Sequence, residues 1–351
     1  ERLHEDAAHV HGFADFGEML AEAGPDLVSI VTTPRGHAPL TIQALRAGAH
    51  VMCEKPMTRT WLEAKAICDA VAETGLMFQL NENFLFQTPW PDLRKLLVGG
   101  EIGEPLVIFL PLAIGEAKPV RWDPMTCGGG ALLDMGSHAI TSAWFALDFK
   151  MQPQRVKSVA PHGIGIRMPD RLIGGRFRRV ELEDEAHITV EFEHPTTGAW
   201  ATLHTEASFS YRDSAGPLLI GTDGTMEFGL GDGPIRITDA FGNTREVAPV
   251  KPRDDMTEQP DTNYTGMVGE MRCMCRCILD GARPLCDERI GAETQAIIGA
   301  AYLSEMRGRH AVSLDEFKQW ALELQAAHGE DASDEMIRRW VEFLRGAGEK
   351  A

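Results

Sequence analysis

The sequence predicts an α/β fold, in which a doubly wound parallel sheet precedes a second α+β domain with an open, mostly antiparallel sheet. Three observations predict it. Short apolar segments alternate with helical ones over the first hundred residues, and segments with period-two alternation follow one another later in the chain. The 351 residues are enough for two domains with sizeable cores.

The first hundred residues show a β-α-β-α-β succession. Leu27–Val31 is a nearly continuous apolar run, which is typical of a parallel strand covered on both faces. Further strands are expected at 50–53 and 76–80, and helices at 37–47 and 61–73. Such a succession predicts a parallel sheet with crossover helices.

From about Gly103 the pattern changes to consecutive strands and tight turns, such as the Gly242-Asn243 turn of a hairpin. Strands are expected at 105–112, 186–192, 200–207, 218–221 and 235–247, and helices at 132–147, 266–279 and 291–306. Two amphipathic helices are expected after 314. We therefore predict a dinucleotide-binding domain over 1–103 that is N-terminally incomplete, a substrate-binding and dimerisation domain over 104–313, and a helical extension over 314–351.

Composition excludes several classes of function. The formal net charge is -18, which argues against binding to nucleic acid or to an anionic membrane. No apolar run approaches the length of a membrane span, and the first residues do not resemble a signal peptide. The odd number of cysteines lacks the spacing of a disulfide framework, so a reducing cytoplasmic setting is predicted. Cys273, Cys275 and Cys277 alternate between helix faces, and no metal is expected.

Two short motifs carry most of the chemical information. Cys53-Glu54-Lys55-Pro56 places a lysine at the carboxyl end of a strand. The segment Gly128–His138 places Asp134 and His138 four residues apart, on one face of a helix behind a glycine turn. Taken alone, each motif is also compatible with a solvated lysine or a packed histidine. Together in one cleft, an ammonium, a carboxylate and an imidazole can bind a hydroxyl group and move its proton.

In this order the motifs resemble the Gfo/Idh/MocA family, which includes glucose–fructose oxidoreductase and inositol dehydrogenase. The resemblance covers about 12–314 and also rests on Thr33-Pro34, on Glu82-Asn83-Phe84 and on the late helix ending near Arg309. It implies a Rossmann-type domain that binds NAD or NADP and a second domain that holds the substrate. It also implies hydride transfer between the nicotinamide and a hydroxyl-bearing carbon of a sugar, an inositol or a related polyol.

The resemblance assigns roles to individual residues. Lys55 would touch the nicotinamide side and the substrate hydroxyl, His138 would be the general base, and Asp134 would bind the substrate and tune His138. The residues assigned to the cofactor are Thr33, Pro34, His37, Glu54, Lys55, Pro56 and Asn83. The residues assigned to the substrate are Arg121, Trp122, Asp134 and Tyr264.

The sequence departs from the family at its N-terminus, where a strand, a Gly-x-Gly-x-x-Gly turn and a helix would hold the pyrophosphate. No such turn precedes Lys55, and the first ten residues are typical of the tail of a second helix. We expect an incomplete sequence of a normal enzyme, with a natural short form that lost its cofactor site as the alternative.

Two other functions stay open. One is a family relative that uses NAD transiently to cleave a glycosidic bond, and the other is a non-catalytic, cofactor-less subunit that binds sugar or serves as a structural element. In each case the uncovered face of the antiparallel sheet predicts a homodimer or a dimer of dimers.

Overall fold

The computed structural model describes residues 10–115, 123–159, 163–173, 175–211, 216–250 and 262–348. The chain has the predicted architecture, a Rossmann-type parallel sheet followed by a mostly antiparallel one. The division into three segments at 103/104 and 313/314 stays a prediction.

The parallel sheet consists of β1 (Leu27–Ile30), β2 (His50–Glu54) and β3 (Phe78–Asn81), in that order. Ile30 lies opposite Cys53, and Glu54 lies opposite Asn81. The three strands therefore end along one edge of the sheet, where open α/β sheets bind their ligands. The accompanying helices are α1 (Phe16–Ala23), α2 (Pro34–Arg46) and α3 (Trp61–Thr74).

Helix α2 begins earlier than the predicted residue 37. It begins at Pro34, whose fixed backbone angle suits the first turn of a helix and whose missing N–H would have no helical partner there. Thr60 caps α3 by accepting a hydrogen bond from the backbone of Glu63, and Gly75 ends it in the left-handed conformation, at φ 69°.

The second sheet has eleven strands. They are β4 (Pro105–Phe109), β5 (Leu112–Ala113), β6 (Gln152–Ser158), β7 (Ile164–Gly165), β10 (Glu185–Glu193), β11 (Trp200–Ser208), β12 (Leu218–Gly221), β13 (Gly224–Glu227), β14 (Ile235–Asp239), β15 (Thr244–Val247) and β16 (Val312–Ser313). All pairings in this sheet are antiparallel except those of β4 and β5 with β11, which are parallel. Strands β8 (Arg171–Ile173) and β9 (Arg176–Arg178) form a separate hairpin.

One face of the second sheet is buried and the other is open. Along β10 the side chains of Ala186, Ile188, Val190 and Phe192 are buried, and those between them are half-buried. This alternation follows the pleat of a strand whose polar side faces out.

The remaining helices are α4 (Trp90–Val98), α5 (Pro124–Cys127), α6 (Ser137–Ala146), α7 (Thr262–Asp280), α8 (Glu288–Met306), α9 (Leu314–His328) and α10 (Ala332–Gly348). The helix expected over 132–147 has two parts, because Leu132–Gly136 forms a π-helical turn before α6. Helix α8 joins the two halves, and its Gln295 side chain donates to the carbonyl oxygen of Thr58 at 2.9 Å. Within the described ranges, no helix has the length and apolarity that a bilayer crossing requires.

Helix α7 packs against the short helical turn Asn83–Phe86, which follows β3. A side chain at Gly266 would lie 2.6 Å from the carbonyl oxygen of Asn83, so the close approach requires glycine. Glu270 is only 2% exposed, and its Oε1 has no hydrogen-bond partner within the described residues. Burial, and then the charges of Glu54 and Glu82, raise the pKa of Glu270 to about 9. The carboxyl group is therefore neutral near pH 7.

We predict that Glu270→Gln stabilises the protein in a pH-dependent way. The native state holds a proton on Glu270 that the unfolded chain has lost, so the wild-type free energy of unfolding falls as pH rises from about 4.5 to about 9. The amide removes this cost, which amounts to a few kcal/mol at pH 7.5, at about 1.4 kcal/mol per pKa unit. Urea unfolding of both proteins at pH 5 and pH 7.5 measures it. An equal difference at both pH values would contradict a buried neutral carboxyl.

Candidate active site

The candidate site lies where the carboxyl ends of β2 and β3 meet the glycine turn that precedes α6. Lys55 directly follows β2, and Glu82 directly follows β3. Asp134 lies in the π-helical turn, and His138 is in the first turn of α6. The three residues predicted to be catalytic therefore do converge, although Lys55 and Asp134 are 79 positions apart in the chain.

Lys55 and Asp134 form an ion pair between the two halves of the molecule. The ammonium Nζ donates to the carboxylate Oδ1 at 2.8 Å and to the main-chain oxygen of Asp134 at 3.0 Å. The two side chains are 13% and 11% exposed, so the pair is largely but not wholly desolvated. An ammonium has three donors, and Lys55 uses two of them within the described ranges, which leaves one N–H for a ligand.

His138 is paired with Glu82. Its Nδ1 lies 2.5 Å from Glu82 Oε1, and its ring stacks on Phe84 at 4.3 Å between centroids. An ionised carboxylate only accepts hydrogen bonds. The ring hydrogen of His138 is therefore on Nδ1, and this N–H donates a hydrogen bond to Glu82. Among the described residues nothing bonds to Nε2 of His138, which is thereby left as a proton acceptor.

The π-helical turn at Leu132–Gly136 widens the backbone at the start of the functional helix. Such turns frequently occur at functional sites. The sequence predicts Asp134 and His138 on one helix face, and here each meets a different partner from the parallel sheet. The carboxylate hydrogen-bonded to His138 is that of Glu82, whereas Asp134 holds Lys55.

Glu82 is the site residue that sequence analysis did not select, although the Glu82-Asn83-Phe84 string contributed to the resemblance. A signal was available. Glu82 stands one position after β3, as Lys55 stands one position after β2, and carboxyl ends of neighbouring parallel strands share an edge. Its carboxylate is only 1% exposed, so it requires a charged or hydrogen-bonding partner.

The residues predicted to contact the cofactor divide into two groups. Pro34 begins α2 and Thr33 is its N-cap, and both are half-buried, as are Glu54 and Asn83. Pro56 and His37 are buried. The His37 ring nitrogens lie 2.9 Å from the carbonyl oxygen of Pro56 and 3.2 Å from that of Thr32. This buried histidine thus connects the segments that follow β1 and β2.

The edge beside Lys55 fits the nicotinamide part of a dinucleotide. Val31, directly after β1, is 73% exposed, and the strand register puts it next to Glu54. Thr33, the N-cap of the adjoining helix α2, makes no side-chain hydrogen bond to the backbone of that helix. An exposed apolar side chain beside an uncommitted hydroxyl suits an aromatic ring that carries an amide.

The predicted substrate residues Arg121 and Trp122 lie outside the described residues, as does the side chain of Tyr264. In the described part of the chain, no three His, Cys, Asp or Glu side chains are grouped as metal ligands would be.

Comparison with protein-family models identifies the two halves. Residues 1–82 match the model of the Gfo/Idh/MocA oxidoreductase family with its NAD-binding Rossmann fold, and residues 90–227 match a C-terminal domain model of the same family. The scyllo-inositol 2-dehydrogenase (NAD(+)) of Bacillus subtilis is 25% identical over 85% of this chain and 80% of that protein. The D-glucoside 3-dehydrogenase of Escherichia coli is 29% identical, over 56% of each chain.

Solved structures share the fold. The aldose-aldose oxidoreductase of Caulobacter crescentus, complexed with glycerol, has a TM-score of 0.70 at 23% identity and covers 85% of this chain and 82% of that one. A levoglucosan dehydrogenase in complex with NADH and levoglucosan has a TM-score of 0.72 at 20% identity, over 89% and 87% of the two chains. With both halves matched in order, this chain belongs to the Gfo/Idh/MocA family of oxidoreductases.

Proposed function

We propose that the protein transfers a hydride between NAD or NADP and a CH–OH carbon of a sugar, an inositol or a related polyol. The observation that carries this proposal is the pair of contacts Lys55–Asp134 and His138–Glu82 at the carboxyl edge of the parallel sheet. A lysine and a histidine, each oriented by a carboxylate, are suited to removing a hydroxyl proton beside a nicotinamide. The named activities of the relatives support the same class of reaction.

The bound nicotinamide would accept or supply the hydride at the substrate carbon. In the oxidising direction, Nε2 of His138 accepts the hydroxyl proton. Glu82 holds the proton on Nδ1, fixes the ring with the help of the stacked Phe84, and balances the positive charge that the ring acquires.

Lys55 stabilises the oxygen from which the proton leaves. Its remaining N–H donates to this oxygen as negative charge develops, which is most effective in a site with little water. Asp134 fixes the ammonium by accepting two of its hydrogen bonds. In the reducing direction the same groups act in reverse, and His138 returns the proton.

We predict that His138→Asn abolishes most of this activity in the 351-residue chain. Loss of a general base costs about 10²–10⁴-fold in kcat. Nicotinamide absorbance with a panel of inositols, glucosides and anhydrosugars measures it, and His328→Asn, at the exposed end of α9, is the control. Full activity of His138→Asn would contradict the proposed base, and a folded wild-type chain that is inactive on every polyol would contradict the function.

A second prediction concerns Glu82. Glu82→Gln keeps the size of the side chain but removes the charge that balances the protonated ring, so we expect kcat to fall about tenfold or more, with a smaller change in KM. The matched control is Glu185→Gln, which alters a similar contact, from Glu185 Oε1 to His187 Nε2 at 2.7 Å, on the second sheet. Equal kinetics of the two variants would show that Glu82 has no part in proton transfer.

We also propose that two copies pair through the open face of the second sheet. Its centre is apolar: Phe109 of β4 is 40% exposed, stacks on His204 at 5.0 Å and lies opposite Leu218 of β12. Burial lowers the pKa of His204, so its ring is neutral at pH 7 and suits an apolar contact. A cytoplasmic location stays a prediction from the cysteine usage.

This pairing predicts a dimer in sedimentation velocity at micromolar concentration. Phe109→Arg places like charges against each other across the pairing surface and should yield monomers. Val98→Arg, which changes an exposed valine at the end of α4, should leave the dimer intact. A monomeric wild-type chain, or a dimer that Phe109→Arg leaves unchanged, would contradict the assignment of this face.

A further inference from the structure

Glu183, two residues before β10, is a fully buried carboxylate that accepts hydrogen bonds from three distant parts of the chain. Its Oε1 accepts from the backbone N–H groups of Gly130 and Leu132, at 2.8 and 3.2 Å, and from the Tyr302 hydroxyl at 2.7 Å. Its Oε2 accepts from the indole N–H of Trp340 at 3.2 Å. Burial raises the pKa of Glu183 above its usual value, and these donors offset only part of that rise. Within the described residues the carboxylate meets four donors and no acceptor, and this geometry favours its ionised form.

The glycine turn is shaped by this carboxylate. A side chain at Gly130 would overlap the main-chain oxygen of Glu183, and one at Gly129 would overlap the hydroxyl of Tyr302. Gly128 adopts the left-handed conformation, at φ 86°. Gly129 and Gly130 are therefore required, because Tyr302 and the Glu183 backbone lie too close to the turn for a side chain at either position.

The anchored backbone leads directly into the candidate site. Leu132 begins the π-helical turn, and the N–H of Asp134 donates to the carbonyl oxygen of Gly130 at 3.0 Å. Asp134 then holds Lys55, and His138 follows one turn later. A shift of the turn would displace both functional groups, and errors of about 1 Å in such groups are costly to catalysis.

The fourth donor belongs to the C-terminal helix α10. Trp340 is 2% exposed and stacks on Tyr302 at 4.3 Å, so the two donors from different helices support each other. The start of α10 is held near Lys55 as well, since Asp334 pairs with Arg59 at 2.8 Å and Ser333 bonds to Thr60 at 2.7 Å. Helix α10 thus contacts the segment that follows Lys55 and the carboxylate of Glu183 that bonds to the glycine turn.

We propose that Glu183 is a positioning residue, and that α10 acts through Trp340 and Glu183 to hold the glycine turn, and with it Asp134 and His138, in the reactive arrangement. This inference rests on the proposed function for its catalytic consequence, but the bracing of the turn can be measured without any activity. It gives the C-terminal helix α10 a role in the chemistry through its contact with Glu183.

The test compares Trp340→Phe with Trp320→Phe in the full chain. Trp340→Phe keeps an aromatic ring but removes the N–H that bonds to Glu183, whereas Trp320 lies on the neighbouring helix α9 and packs on Phe317. Hydrogen exchange measured by mass spectrometry follows the amides of 129–138, and steady-state kinetics gives kcat and KM. Glu183→Gln, which retains one acceptor, is the second variant.

We expect faster exchange over 129–138 in Trp340→Phe than in Trp320→Phe, and a fall in kcat of about fivefold to tenfold with a smaller change in KM. Unchanged exchange relative to Trp320→Phe would overturn the bracing role, whether or not the chain is active. Faster exchange with unchanged kcat would overturn the catalytic consequence. A wild-type chain without hydride transfer would instead contradict the proposed function, and the exchange comparison would still decide the bracing. If Glu183→Gln unfolds, the hydrogen-exchange comparison of Trp340→Phe with Trp320→Phe still decides the bracing role.

Discussion

The arrangement of this molecule depends on the pairing of charges between its two halves. Lys55 and Glu82 stand at neighbouring strand ends of the parallel sheet, and Asp134 and His138 stand at the start of one helix in the second half. A poorly hydrated charge is costly without a partner, so each half supplies what the other needs. In the proposed reaction, these contacts leave one N–H of Lys55 to donate to the substrate oxygen and Nε2 of His138 to accept its proton.

Another buried carboxylate, that of Glu183, lies next to the glycine turn that precedes the site. It accepts hydrogen bonds from the backbone of the turn and from the side chains of Tyr302 and Trp340. A glycine-rich turn before a helix usually suggests phosphate binding. Here two N–H groups of the turn donate to the carboxylate of Glu183, to which Trp340 of the C-terminal helix α10 also donates. The site is therefore built from the strand ends, one helix and a surrounding shell of residues remote in sequence.

Local patterns were sufficient for the fold, and they singled out three residues that the structure brings together in the candidate site. Strand and helix periodicities predicted both sheets, and the two motifs predicted Lys55, Asp134 and His138. What could not be predicted depends on contacts across the chain. Glu82 became recognisable only once β3 lay beside β2, and the link between Glu183 and Gly130 spans 53 positions. Periodicity also does not show that the ring of His37 lies between two carbonyl groups, and the assignment of this residue to the cofactor stays a prediction.

We propose above all that hydride leaves a polyol carbon at the Lys55–His138 site. The most direct test is isotope transfer. The chain is incubated with NAD or NADP and with inositols or glucosides deuterated at carbon, and the recovered dinucleotide is analysed by mass spectrometry. We predict deuterium in the reduced dinucleotide, and its loss when His138 is replaced. A folded chain that gives no labelled dinucleotide with either cofactor, or an equal yield of label without His138, would contradict the claim.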